Sequence, residues 1–456
     1  ILAPEGFMHE SVAEFVIAGN AMTRRVHYMY GTPLSADARG NVGIGLGKTV
    51  SVGNLGLLAP TDTIRKTGEE RVVDGVRIQF QMANGSEAPS EFNFYFPEHK
   101  ALCMSEVVTA HMHNIYTVRG TKTRDALAWS KYINEMIDFF PKAEVAFRSH
   151  HWPVWGGDAI RSHLVNQRDM YRFMHDSAMN QANQGKKMGD LGNDTFIPKA
   201  LAADFTTRGY YGSLSHNLRA VDNFYLGYYD SNPATLNALP PVEAGKRYVE
   251  AVGGVAAVMS KARAAMDKGD YRWAAELNNH AVMAEPGNEA ARHLQADILE
   301  QLGYQAEAGP WRNNYLTGAL ELRQGVKASR LSAQGPDLIN ALSLEMIFDF
   351  IAVRLNHRKV DGATVGVQMN FSDLNETYAL ELSNAVLNNT KGRQLAKPDV
   401  SLTLTRPAFM KMVLGGQTLP KLIEAGEVKL DGNPKAFGAI FANLDAFTPL
   451  FNIVTP

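Results

Sequence analysis

The sequence has a single cysteine, Cys103, so no intrachain disulfide can form. That leaves the compartment open, because a secreted protein can do without disulfides. No apolar run reaches the roughly 18 residues that a membrane-spanning helix needs. No charged segment followed by an apolar one opens the chain, so no signal peptide is visible. The chain starts at Ile1 and not at methionine, and Ile1-Leu2-Ala3-Pro4 reads as the end of a buried strand, so upstream sequence is expected. An excess of one charge is missing too. Lys and Arg number 45 against 47 Asp and Glu, a formal net charge of -2, and no basic stripe stands out. A phosphate-tracking surface needs such a stripe, so no nucleic-acid partner is expected.

What is present is ordinary for a soluble globular chain: 456 residues, 45% hydrophobic and 20% charged, with room for two to four domains. Residues 1–235 are rich in aromatics, Gly and His. Glu10 to Tyr30 carries Val12, Phe15, Val16 and Met22 at helical spacing. Arg71 to Met82 and Glu91 to Met104 alternate as strands around the turn residues Asn84-Gly85-Ser86, and Thr123 to Phe140 reads as a helix stopped by Pro141. These are α/β layers.

Over residues 236–330 the strand signals disappear and Ala, Glu, Leu, Arg and Gln dominate. Gly269-Asp270-Tyr271, Trp273 to Leu277 and Pro286-Gly287-Asn288 look like one tetratricopeptide-type hairpin without a clean second copy, so a helical, dimerising block is expected in place of a solenoid. Gly325 to Pro336 reads as a polar linker. Residues 337–456 form a small α+β block, with helices over Leu342–Leu355, Phe409–Leu414 and Ala436–Leu444 and strands over Val365–Phe371, Tyr378–Leu382 and Val400–Leu404. Its apolar helices could line a lipid-sized cavity.

Residues able to carry chemistry cluster between Glu87 and His216. Glu87 sits in a turn, Glu106 follows a strand, His111 and His113 come next, and His150 and His151 follow a helix. Carboxylates and imidazoles without thiolates suit zinc or manganese in a hydrolytic site. Plainer readings stand beside this one. A lone Glu in a turn is usually solvated, His111 and His113 would share a face of a strand as any buried polar pair does, and His150-His151-Trp152-Pro153 could simply seat Trp152. Gly43-Ile44-Gly45-Leu46-Gly47-Lys48-Thr49 lacks the four-residue gap of a phosphate-binding Walker loop.

Several longer stretches are more specific. Ala3-Pro4-Glu5-Gly6-Phe7, Ala18-Gly19-Asn20-Ala21-Met22, Val42 to Lys48, Ser86-Glu87-Ala88-Pro89, His113 to Gly120, Ser149 to Pro153 and Tyr211 to Asn217 resemble, in order, the type III alkylsulfatases of the metallo-β-lactamase superfamily. The resemblance spans essentially the whole chain. It implies an incomplete metallo-β-lactamase αββα-type catalytic domain, a helical dimerisation domain and a sterol-carrier-protein-like (SCP2-like) C-terminal domain. It implies hydrolysis of alkyl sulfates such as dodecyl sulfate to alcohol and sulfate by two zinc ions, with primary alkyl substrates favoured, in a homodimer that is periplasmic or secreted.

Residue by residue, the resemblance makes Glu87 a zinc ligand, Glu106 the carboxylate bridging both zincs, and His151 the ligand of the second zinc. Asn114, Arg119 and His216 match residues that hold the sulfate, and His113 matches the acid that protonates the leaving alkoxide. Phe7, Met8 and Tyr30 are candidates for the alkyl groove. The family's His-x-His-x-Asp-His motif is absent from this sequence and is expected upstream of Ile1, since three ligands cannot complete two zinc spheres of about four ligands each. Two other readings remain open: a lipid- or detergent-binding protein, and a different hydrolase of the same superfamily.

Overall fold

The computed structural model describes residues 1–51, 56–193, 196–328, 338, 340–413 and 416–456, the side chains of residues 12–16 aside. The short strand β1 (Leu2–Pro4) pairs in parallel with β2 (Asp62–Ile64). Between them the expected single helix is two, α1 (Phe7–Ile17) and α2 (Gly19–Tyr30). Ala18 takes φ -107° and ψ 6°, outside the helical range, and this breaks the run. Met22 is buried as the periodicity implied, while the side chains of Val12, Phe15 and Val16 lie outside the described residues.

A six-stranded sheet follows: β3 (Glu70–Val73), β4 (Val76–Met82), β5 (Phe92–Phe96), β6 (Ala101–Cys103), β7 (Val145–Phe147) and β8 (Val154–Trp155), hydrogen-bonded in that order. The strand expected over Arg71–Met82 is a hairpin. Asp74 and Gly75 both take positive φ, 51° and 82°, and Asp-Gly is a favoured tight-turn pair. The run Glu91–Met104 likewise splits at Pro97–His99. All neighbours are antiparallel except β6 and β7, which are parallel and joined through α3 (Ala126–Phe139). Asp125 caps α3 by accepting from Ala128 N at 2.9 Å. α3 lies on α4 (Gly157–Asn183), and Trp129, Ile133, Met136, Tyr171 and Met174 fill the core beneath the sheet. Because β4 and β5, and β5 and β6, are antiparallel, β4, β6 and β7 all run the same way. Their C-terminal ends therefore open onto one rim of the sheet, where ligands sit in such folds.

Two helices, α5 (Lys199–Ala203) and α6 (Leu214–Leu226), close this part. Five consecutive helices follow with no intervening strand: α7 (Pro241–Val252), α8 (Val255–Asp267), α9 (Tyr271–Ala284), α10 (Glu289–Gln305) and α11 (Gly309–Gln324). They pack through small residues, among them Ala262, Ala274, Ala281 and Ala291. Of the expected linker, residues 329–336 lie outside the described residues.

The last block is a five-stranded sheet in the order β11 (Val386–Lys391), β10 (Glu376–Ser383), β9 (Val365–Phe371), β12 (Val400–Leu404), β13 (Val428–Gly432). β11 and β13, at the two edges, were not read from the sequence. Helix α12 (Leu344–Arg354), α13 (Arg406–Val413), α14 (Leu419–Glu424) and α15 (Pro434–Phe441) pack against it, and Phe348, Phe371, Tyr378 and Phe409 interlock in the core between them. Leu414, expected at a helix end, lies outside the described residues.

Candidate metal centre

The three rim segments bring the candidates together. Glu87 stands in the β4–β5 turn, Glu106 in the turn after β6, and His150 and His151 in the turn after β7. Ser149 N donates to Ser105 O at 3.0 Å, which ties the last two turns side by side. The segment His111–Asn114 crosses over them. It is held by Arg208–Gly212 through Met112 N to Arg208 O at 2.9 Å and Gly212 N to Met112 O at 2.8 Å.

Ligand atoms of Glu87, Glu106 and His113 all lie within 4.8 Å of one another. His113 Nε2 is 3.1 Å from Glu106 Oε1, and His150 Nε2 is 3.2 Å from the same oxygen. The sequence paired His151 with Glu87 and Glu106; here His150 is the one in contact with Glu106. His151, at φ 74°, sets its ring edge-on to His111 at 4.5 Å and accepts from Ala110 N at 3.4 Å. A non-glycine residue held in the left-handed region is strained, and such strain collects at functional sites.

The charges are crowded. Burial works against ionisation of Glu106, but hydrogen bonds from His113 and His150 outweigh it and hold the carboxyl well below the usual range. His150 is pushed up, first by its bond to Glu106. His151 is pulled down to about 4 by burial and then by Arg148, so it is neutral, the form in which imidazole binds metal. His111 is fully buried, its Nε2 has no partner among the described residues, and burial holds it well below the ordinary value. Burial, and then the charge of Glu87, push Glu91 up to about 8.

Clustered carboxylates, imidazoles of which His111 and His151 are held neutral, no thiolate and an orphaned buried imidazole nitrogen together make a donor set that fits a divalent cation of the zinc or manganese type.

Of the anion candidates, Asn114 lies in the crossing segment next to His113. Asn114 is buried and its Nδ2 donor has no partner among the described residues. Arg119 is half-buried and its Nη1 donates to Gly120 O at 3.4 Å. His216 stacks on Tyr116 at 5.6 Å with Nε2 3.0 Å from Tyr116 O, and burial lowers its pKa.

Residues 187–325 match the family model for alkyl sulfatase dimerisation, and residues 332–456 that for the alkyl sulfatase C-terminal domain. The chain is 47% identical over 458 residues to a linear primary-alkylsulfatase of Pseudomonas sp., covering 100% of this chain and 68% of that protein. The chain belongs to the alkylsulfatase family. It is also 45% identical over 459 residues to an (R)-specific secondary-alkylsulfatase of Pseudomonas sp., covering 100% of this chain and 69% of that protein. The solved structure of the stereoselective inverting sec-alkylsulfatase Pisa1 from Pseudomonas sp. matches with a TM-score of 0.97 at 45% identity, over 100% of this chain and 72% of that one.

Two charged groups of this alkylsulfatase site escaped sequence reasoning. Arg124 is buried. Its guanidinium contacts the Glu87 carboxylate through Nη2, donates to Asn114 O at 2.6 Å and lies 3.1 Å from His113 Nδ1. Glu91 is buried beneath Glu87 and Glu106. Their only signal in the sequence was proximity: Glu91 falls four residues after Glu87, and Arg124 five after Arg119.

Proposed function

We propose that this chain carries part of a binuclear zinc site that hydrolyses alkyl sulfate esters, primary ones preferred, to the alcohol and inorganic sulfate. The observation that carries the reading is the convergence of Glu87, Glu106 and His113 beside the buried Asn114, whose Nδ2 has no partner among the described residues. Glu87, Glu106 and His151 would hold metal, with the remaining ligands supplied by the family's His-x-His-x-Asp-His motif. Bound zinc lowers the pKa of water and polarises the bond to be cut.

This chain's own residues do the rest. Asn114 presents its free N–H donors to a sulfate oxygen, Arg119 offers a planar fork matched to two more, and His216 closes the third side. His113 delivers a proton from Nε2 to the departing oxygen. The helical block would pair two copies. Leu236, Tyr248 and Trp273 leave apolar surface exposed there for such a contact.

Sulfate release from dodecyl sulfate and from a secondary alkyl sulfate, measured on the full-length protein before and after chelation, tests this. Turnover should vanish with chelator, return with zinc, and favour the primary ester. Turnover unaffected by complete metal removal would sink the metal reading, and tight binding of dodecanol without any sulfate release would replace the enzyme with a carrier.

A further inference from the structure

Glu91 has no part in the roles above, yet it is the only carboxylate that touches the chain at both candidate carboxylate ligands among the described residues. It is 8% exposed, at the start of β5. Its Oε2 accepts from Ala88 N at 3.1 Å and lies 3.1 Å from Ser86 Oγ, the residues on either side of Glu87. Its Oε1 accepts from the amide of Glu106 at 3.3 Å.

The backbone of Glu91 is anchored as firmly. Ala83 N donates to Glu91 O at 2.9 Å, and Glu91 N donates to Asn84 Oδ1 at 3.1 Å. The neighbouring Phe92 O accepts from Ser105 Oγ at 2.6 Å, and Ser105 O accepts from Ser149 N at 3.0 Å. One continuous set of hydrogen bonds thus runs from the Glu87 turn through Glu91 to Glu106 and on to the turn that carries His150 and His151.

We propose that Glu91 is the positioning residue of this centre: one oxygen holds the Glu87 turn, the other holds Glu106, and the rigid carboxyl group between them sets how far apart the two metal-binding carboxylates stand. The proposal rests on Glu87 and Glu106 being ligands. Residues behind the ligands that fix their orientation commonly matter tenfold to a hundredfold for metal affinity. The chemistry here asks for an acceptor oxygen on each side. The backbone amides of Ala88 and Glu106 are donors facing opposite oxygens, and an amide in the same place must turn its NH₂ toward one of them, so Gln retains the shape of Glu91 but breaks one arm. A residue that merely filled the hairpin would tolerate Gln.

The test uses the full-length protein and reads zinc affinity by competition with a chromogenic chelator, alongside thermal unfolding of the metal-free form. Glu91→Gln should bind zinc about tenfold to a hundredfold more weakly while metal-free unfolding barely moves. Ser86→Ala, which removes one contact of Oε2 and leaves Glu91 itself alone, should lose several-fold. Wild-type zinc affinity in Glu91→Gln overturns the proposal, as does lowered metal-free stability with affinity intact. Should Glu91→Gln fail to fold, Ser86→Ala decides: unchanged affinity there overturns it as well. Wild-type protein that holds no zinc would instead overturn the metal reading beneath it.

Discussion

His113 shows how much one side chain's partners decide. Its Nδ1 accepts from Asn114 N at 2.8 Å and faces Arg124 Nη1, always a donor, at 3.1 Å. With Nδ1 facing two donors, a ring proton sits on Nε2, and Nε2 points at Glu106. A nitrogen bearing a proton cannot ligate, so the geometry favours the acid over the ligand even though His113 sits within the cluster. His113→Gln should therefore retain zinc, as metal analysis of the purified variant would show, and lose about 10²- to 10⁴-fold in turnover of dodecyl sulfate. A drop in zinc content would make His113 a ligand after all. Arg119→Lys replaces a planar fork with a point charge, and kcat/KM should fall roughly tenfold to a hundredfold, the scale of a charge-assisted hydrogen bond, with metal content unchanged. Steady-state kinetics on an alkyl sulfate series would check it.

At the scale of elements, the centre depends on loops fitted to one another by backbone contact. A Cβ on Gly212 would lie 2.4 Å from the His113 carbonyl oxygen and 2.9 Å from that of Met112, so nothing larger than hydrogen fits. Gly212→Ala should push the His111–Asn114 segment toward the cluster, cutting activity more than stability. Comparing kcat/KM with the urea midpoint separates the two effects, and wild-type kinetics would refute the coupling. The turn after β7 is held differently. Arg148 donates to Trp152 O at 2.8 Å and lies against His163 of α4 at 2.5 Å. Burial, then Arg148, lowers His163 to about 4 from 6.5. The folded chain keeps it neutral while the unfolded chain takes up a proton below about 6.5, so this contribution is complete above 6.5 and is lost as pH falls toward 4. The loss is about 3 kcal/mol at the low end. Denaturation curves between pH 7 and 4 should flatten in His163→Gln; an unchanged slope would remove His163 from the account.

Across the whole molecule, the C-terminal tail crosses back to the first helices. Arg24 of α2 and Glu321 of α11 form a buried pair, Tyr28 donates to Glu321 at 2.6 Å, Ile453 N donates to the same carboxylate at 2.9 Å, and Arg24 Nε reaches Phe451 O at 2.7 Å. Val454 packs into the helical core. Three parts of the chain thus share one carboxylate. Glu321→Ala strands Arg24 without its counter-charge and should cost about 3–5 kcal/mol. Urea titration would measure that cost, and limited proteolysis should show cleavage after Asp445 as the tail comes free. A protected tail in the variant would show that apolar packing alone seats it.

Much of the plan was legible beforehand. Alternation marked β9, β10 and β12, helical periodicity and punctuation at Gly269-Asp270 and Pro286-Gly287-Asn288 marked the central helices, the motif stretches contained Glu87, His113 and Asn114, and the resemblance they carried added Glu106. Period and turn chemistry act within a few residues, so a sequence records them. It could not show that His150 and not His151 would touch Glu106, because adjacent residues in a turn differ only by local φ, and His151 is held at 74° by what surrounds it. Nor could it single out Glu91, Arg124 or Glu321 among 47 acidic and 45 basic residues. A buried charge is chosen by the partners that repay its lost hydration. For Glu91 and Arg124 the partners meet only once β4 and β6 have aligned their ends, and for Glu321 only once α2, α11 and the C-terminal tail have packed together.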